Sequence, residues 1–217
     1  EHLIDAWKEV LKRDGGPIHF AAMTKLDTPE DYITGEYMRD VAIQAGAKTS
    51  FIDVTDIVYD KPRTVFVDGT GFPIHRCFKL YPWEWLVSEP FAAHIAGAGT
   101  QFIEPAWKMV LSNKGILPVL WELFPESPYL LPAYFYEPTG FFEWVRKPLL
   151  SREGANITIH TLQDHIEGHV SYGAVGLVFQ QLASVPLFHR RLPGICSLII
   201  GQVAGGIGIP ASVCGIA

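Results

Sequence analysis

The sequence predicts an α/β protein with α+β elements, a parallel βαβ part followed by an antiparallel-sheet part. Two short apolar runs, Ile18 to Ala22 and Ser50 to Val54, flank a stretch of helical periodicity, which makes one βαβ unit and implies a parallel sheet covered by helices. Later in the chain, Glu143 to Leu150, Asn156 to Leu162, Gly176 to Gln181 and Cys196 to Val203 read as four strands of an antiparallel sheet. The chain has 217 residues, 48% of them hydrophobic and 18% charged. That is enough apolar surface to offset the entropy of ordering and to build a core without disulfide staples.

Taken in order, Leu3, Ile4, Trp7, Val10 and Leu11 recur at helical spacing, and Asp14-Gly15-Gly16-Pro17 stops that helix. Thr28-Pro29-Glu30-Asp31 has the makeup of a helix start: a hydroxyl cap, a proline in the first turn and acids near the positive end of the dipole. Ile33, Tyr37, Val41 and Ala45 are expected to form its buried face, and Gly46 to end it. Thr64 to Val67, Asp68-Gly69 and Ile74 to Phe78 read as a hairpin. A section rich in proline and tryptophan follows, with helical pieces expected over Trp107 to Leu111 and Ile116 to Phe124, the second bent at Pro118. Two parts are expected, residues 1–100 and 101–217. From Leu192 onward there is no Asp, Glu, Lys, Arg or His, but six glycines and two prolines break the run. Buried strands joined by glycine turns are favoured there over a membrane span.

Charge and cysteine usage narrow the function. Seventeen Lys and Arg against 23 Asp and Glu leave a net charge of −6 and no basic run, which argues against broad nucleic-acid binding. Three scattered cysteines, with no CxxC and no signal sequence ahead of the first helix, suit a reducing, cytoplasmic location and not a disulfide framework or zinc site.

Two segments have the residue types that bind anions. In Val145-Arg146-Lys147-Pro148-Leu149-Leu150-Ser151-Arg152-Glu153-Gly154, a strand ends in cations and runs into a small-residue loop. Backbone N–H groups and positive side chains there can close over phosphates, although a solvated hairpin tip would hold the same residues. Lys114 stands between Asn113 and Gly115 in a polar break between apolar stretches, where a lysine reaches an anion as a compact point charge or simply meets solvent. His165-Ile166-Glu167-Gly168-His169 is not HExxH and reads as a hairpin tip, and Gly205-Gly206-Ile207-Gly208 has no helix behind it.

Longer motifs are more specific. FKLYPWEW (78–85), FIEPAWKMVLSNKGILPVLWELFP (102–125), LLPAYF (130–135), VRKPLLSREGAN (145–156), VFQQL (178–182) and GGIGI (205–209) together resemble the synthetase domain of the glutathionylspermidine synthase family. The likeness is to stand-alone synthetase members, without a cysteine amidase domain. It implies an ATP-grasp-like fold, with a pre-ATP-grasp part followed by an antiparallel nucleotide-binding part. The implied reaction is ATP-dependent ligation of a carboxylate to an amine through an acyl phosphate, with ATP and Mg²⁺ as cofactors. The implied substrates are a glutathione-like peptide and a polyamine-like amine.

By the same resemblance, Lys114 and Lys147 match two nucleotide-contacting lysines. Ser151 and Gly154 match a phosphate-covering loop, and Arg152 in that loop is available to the transferring phosphoryl group. Gln180, Gln181, Leu182 and Ala183 match the segment lining the adenine pocket, and Lys79 and Leu80 fall where the peptide substrate approaches. The family's metal-binding acid–acid–asparagine cluster falls upstream of residue 1, so no metal ligand is assigned. Pro210 stands where the family has an arginine. A catalytically inactive nucleotide-binding or structural remnant is therefore the alternative reading.

Overall fold

The structure, a computed structural model, describes residues 1–13, 16–23, 29–140, 142–152, 154–162, 165–167, 176–184, 189, 191–193, 195–201, 203–208 and 211–213. The chain divides into two compact units, Glu1–Lys108 with Leu198–Gly206, and Met109–Ser197 with Ile207–Ala217.

The first unit begins with helix α1 (His2–Arg13), strand β1 (Ile18–Ala22), helix α2 (Pro29–Gln44) and strand β2 (Thr49–Asp53). Strands β3 (Val58–Asp60), β4 (Val65–Val67) and β5 (Arg76–Leu80), helix α3 (Trp83–Leu86) and strand β6 (Gln101–Ile103) follow. A four-stranded sheet in the order β2-β1-β5-β6 is parallel at every pairing. All five residues of β1 are buried, as a central parallel strand with both faces covered requires. Side-chain alternation sends Ile18 and Phe20 to a cluster with Trp7, Val41 and Ala42, and Ala21 to a second cluster with Phe66, Ile74 and Cys77. Phe20 packs 5.5 Å from Trp7 and 5.2 Å from Phe78 between ring centroids, and burying such a side chain contributes about 1.5–3 kcal/mol.

Two expectations for this unit are corrected. Helix α2 buries Gly35, Val41 and Ala42, while Ile33 and Tyr37 are 61% and 59% exposed. The cause is Gly35, whose missing side chain brings the helix against the Phe51 ring, rotating the apolar pair outward. The expected hairpin of 64–67 with 74–78 is also different. Strand β4 pairs antiparallel with β3, which the sequence reading left out, and β5 joins the parallel sheet beside β1. One isolated bridge, Val67 to Pro73, is what remains of the hairpin pairing.

The second unit holds helices α4 (Met109–Ser112) and α5 (Ile116–Leu123), and strands β7 (Ala133–Tyr134), β8 (Trp144–Pro148), β9 (Thr158–His160), β10 (His165–Glu167) and β11 (Leu177–Gln181). These strands form one antiparallel sheet in the order β10-β9-β8-β11-β7. Strand β12 (Arg191–Pro193) pairs with β15 (Ala211–Val213), and β13 (Cys196–Ile200) pairs with β14 (Val203–Gly208).

Two further corrections arise here. His165 to Glu167 form a strand and not a hairpin tip; Gly168 and His169 lie outside the described residues. Pro118 falls in the first turn of α5, which begins at Ile116, where a proline has no intrahelical N–H partner to lose. Cys196 to Val203 is not a strand of the large sheet, and the pair β13 and β14 is not buried. Leu198, Ile199, Val203 and Ile207 are all more than half exposed, since the two-stranded sheet satisfies its backbone without another layer against these side chains among the described residues. Pro210, the expected arginine replacement, lies outside the described residues, as do the proposed Thr28 cap and Glu153. Among the described residues no helix is long and apolar enough to cross a membrane.

Candidate nucleotide site

The break between α4 and α5 is built by Asn113. Its Oδ1 accepts the Gly115 N–H at 2.8 Å, the local side-chain turn that competes with helix continuation. The Lys114 N–H donates to the Leu149 carbonyl at 2.8 Å, which ties the break to the end of β8. The side chain of Lys114 then reaches the following loop, where its Nζ donates to the Ser151 carbonyl at 2.7 Å and to Ser151 Oγ at 2.9 Å.

Lys147 comes from β8 itself. It lies opposite Val178 on β11, and Val145 lies opposite Gln180, so these four share one face of the sheet. Lys147 Nζ donates to Gln180 Oε1 at 2.8 Å, a diagonal cross-strand contact. Burial holds the Lys147 ammonium below the usual lysine pKa range, and the nearby Lys114 charge lowers it further. Two cations therefore meet within electrostatic reach, and the hydrogen bond of one goes to a neutral amide. An anion between them would relieve both the repulsion and the desolvation.

The connection from β8 to β9 turns tightly beside them. Ala155 N–H donates to the Arg152 carbonyl at 2.9 Å, and Ile157 N–H to the Gly154 carbonyl at 3.3 Å. Gly154 has φ +73°, a left-handed conformation that costs glycine little. Arg152 is exposed, and Ser151 and Gly154 are half-buried.

The remaining residues divide between locations. Along β11, Gln180 and Gln181 face opposite sides of the sheet. Gln181 and Leu182 line a recess of about 380 Å³ with Phe142, Glu143 and Leu162. The Leu182 N–H donates to the Glu143 carbonyl at 3.3 Å, and Ala183 is exposed just beyond. Neither Phe142 nor Glu143 was among the candidate site residues of the sequence, although Gln181 pairing opposite Trp144 brings them there. Lys79 and Leu80 belong to the first unit, on β5. Lys79 is buried, donates to the Tyr81 carbonyl at 2.9 Å and holds Nζ 4.3 Å from the Trp83 ring centroid. Among the described residues no three His, Cys, Asp or Glu are grouped to hold a metal ion.

The family described as glutathionylspermidine synthase pre-ATP-grasp matches residues 1–216. A Haemophilus influenzae protein named, provisionally, as an acid–amine ligase is 42% identical over 212 residues, covering 93% of this chain and 54% of that protein. Trypanothione synthetase of Crithidia fasciculata is 27% identical, covering 89% of this chain and 33% of its own length. The bifunctional glutathionylspermidine synthetase/amidase of Escherichia coli is 26% identical, covering 94% and 36%. The chain thus spans between a third and about half of the length of these relatives.

Proposed function

The chain belongs to the glutathionylspermidine synthase family, and from that membership we propose that it supplies the nucleotide-binding region of an ATP-dependent carboxylate–amine ligase. The observation that carries the reading is the pair of lysines, with Lys147 held at lowered pKa beside Lys114 and Lys114 bonded to the Ser151 loop. In this reading residues 1–100 are the pre-ATP-grasp-like part and 101–217 the partial ATP-grasp part.

The two ammonium groups hold the triphosphate, exchanging their bonds to Ser151 and Gln180 for charge-assisted bonds to phosphate oxygens. Ser151 and Gly154 bring the loop over the phosphates, and Arg152 meets the charge that develops as the terminal phosphoryl group passes to a carboxylate. Gln180, Gln181, Leu182 and Ala183 border the base, with Leu182 offering apolar surface in its recess. The carboxylate belongs to a glutathione-like peptide approaching Lys79 and Leu80, and the amine is polyamine-like. Those substrate classes are the ones named in the relatives glutathionylspermidine synthetase/amidase and glutathionylspermidine synthase. Mg²⁺ would neutralise phosphate charge in such a reaction, but the described residues do not form a site for it, and no step here uses one.

The test is ATP-dependent phosphate release in the cytoplasmic pH range with glutathione and a panel of amines. Release that requires both substrates, and that Arg152→Ala lowers more than it weakens ATP binding, supports ligation. ATP binding without release under every pairing leaves the inactive nucleotide-binding alternative, and absence of ATP binding leaves the structural one.

A further inference from the structure

The surroundings of Lys147 suit a covalent chemistry as well as anion binding. The residue is half-buried, neither sealed in a core nor exposed like Lys48 and Lys61. Its Nζ donates to the neutral amide oxygen of Gln180, and no carboxylate is bonded to it among the described residues. Arg146, the neighbouring cation on β8, faces the other side of the sheet and donates to Thr158 Oγ1 at 2.8 Å. The Lys114 N–H is bonded to the Leu149 carbonyl, two residues beyond Lys147, which brings the second cation close. Lys114 Nζ is itself engaged by two oxygens of Ser151. A lysine that is desolvated, set beside another cation and bonded to a neutral acceptor gives up its proton readily. It then attacks carbonyl carbon, as activated lysine nucleophiles do.

We propose that Lys147 is an acylation site, taking the acyl group of a small acyl phosphate whose phosphate is held by Lys114. The Nζ lone pair attacks the carbonyl carbon, and a C–N bond forms as the C–O bond to the phosphate breaks. Inorganic phosphate departs with that electron pair, and the proton shed by Nζ passes to it or to water. Negative charge grows on the phosphate as the bond breaks, and the Lys114 ammonium meets it there. A neutral acyl ester gains nothing from Lys114, so the arrangement selects the anionic donor. The product is an uncharged amide at residue 147. That acylation also costs ATP affinity rests on the nucleotide reading above; the acyl transfer itself does not.

The experiment compares acetyl phosphate with the neutral donor p-nitrophenyl acetate at about pH 8, where exposed lysines stay protonated. Mass spectrometry reads the acetylation rate at each lysine of the whole chain. With acetyl phosphate, Lys147 should react at least about 3-fold faster than the exposed Lys48 and Lys61. Its rate relative to Lys48 should be about 10-fold higher with acetyl phosphate than with the ester, the scale of one charge-assisted hydrogen bond. Lys114→Gln should remove that donor preference. Gln180→Glu sets a carboxylate against Nζ, favours the ammonium form and should slow both donors at least about 3-fold at Lys147. Acetylation of Lys147 in a chain that calorimetry shows not to bind ATP supports the proposal and removes the nucleotide reading, so the two fail separately. A Lys147 rate no higher than that of Lys48 and Lys61, an equal response to both donors, or an unchanged rate in Gln180→Glu would overturn the proposal.

Discussion

Lys147 shows how one residue carries both charge and cost. Its ammonium is desolvated and repelled by Lys114, so it deprotonates more readily than an exposed lysine. ATP affinity should therefore decline as pH rises toward that lowered pKa, before ordinary lysines titrate. Lys147→Arg keeps the charge to far higher pH and should remove the decline, which a series of ATP titrations between pH 7 and 10 reads directly. His19 works in the opposite unit and on stability. It is 1% exposed, neither ring nitrogen has a hydrogen bond among the described residues, and Asp68 Oδ2 stands 3.6 Å from Nε2. Burial lowers its pKa from 6.5, with the Asp68 charge opposing and the His75 charge assisting. The unfolded chain then binds the proton more readily, so stability is full above about pH 6.5 and falls as pH drops toward the folded pKa. Urea unfolding at pH 7.0 and 5.5 should show that loss, and His19→Leu should reduce it. An unchanged loss in His19→Leu would assign it to carboxylates. Neither lysine's partner was legible in the sequence, because Gln180 lies 33 positions from Lys147 and Ser151 lies 37 from Lys114.

Among elements, local signals were read well and pairings less so. Strand β1 and helix α1 announce themselves through apolar spacing, and β8, β9 and β11 through their run length and branched residues. The β4 and β5 error has a physical origin: both are short apolar runs around Asp68-Gly69, and local sequence cannot tell an antiparallel partner from a parallel one 58 residues away. Strands β6 and β7, of three and two residues, are too short to leave a periodic signal. The candidate site depends on how β8 ends, and Gly176 controls that end. It sits at φ +59°, its carbonyl accepts the Leu149 N–H at 3.2 Å, and an added Cβ would lie 2.7 Å from Leu149 Cδ1. Gly176→Ala should cost about 1–2 kcal/mol in urea unfolding from the left-handed backbone alone. Because the Leu149 carbonyl also holds the Lys114 N–H, the variant should weaken ATP binding as well. Adding Leu149→Ala should recover the part due to the clash and leave the backbone part, a non-additivity that a double-mutant cycle resolves.

At the scale of the molecule, the unit Glu1–Lys108 with Leu198–Gly206 contains a parallel sheet, and the unit Met109–Ser197 with Ile207–Ala217 contains an antiparallel one. That succession of α/β and antiparallel architecture was legible from composition and run length. The exposed β13–β14 pair was not, because an apolar, glycine-broken tail reads the same whether its strands are covered or open. The family relationship was legible in motifs spread from residue 78 to 209, which is why a chain spanning only part of its relatives still carries the pattern. The central claim is that Lys114 and Lys147 together hold a nucleoside triphosphate. Calorimetric titration of ATP into the chain, Lys114→Gln and Lys147→Gln tests it most directly. Saturable binding is expected, weakened at least about 10-fold by each substitution, the scale of one charge-assisted hydrogen bond. Equal ATP affinity in all three proteins, or no binding to the unsubstituted chain at millimolar ATP, would contradict it.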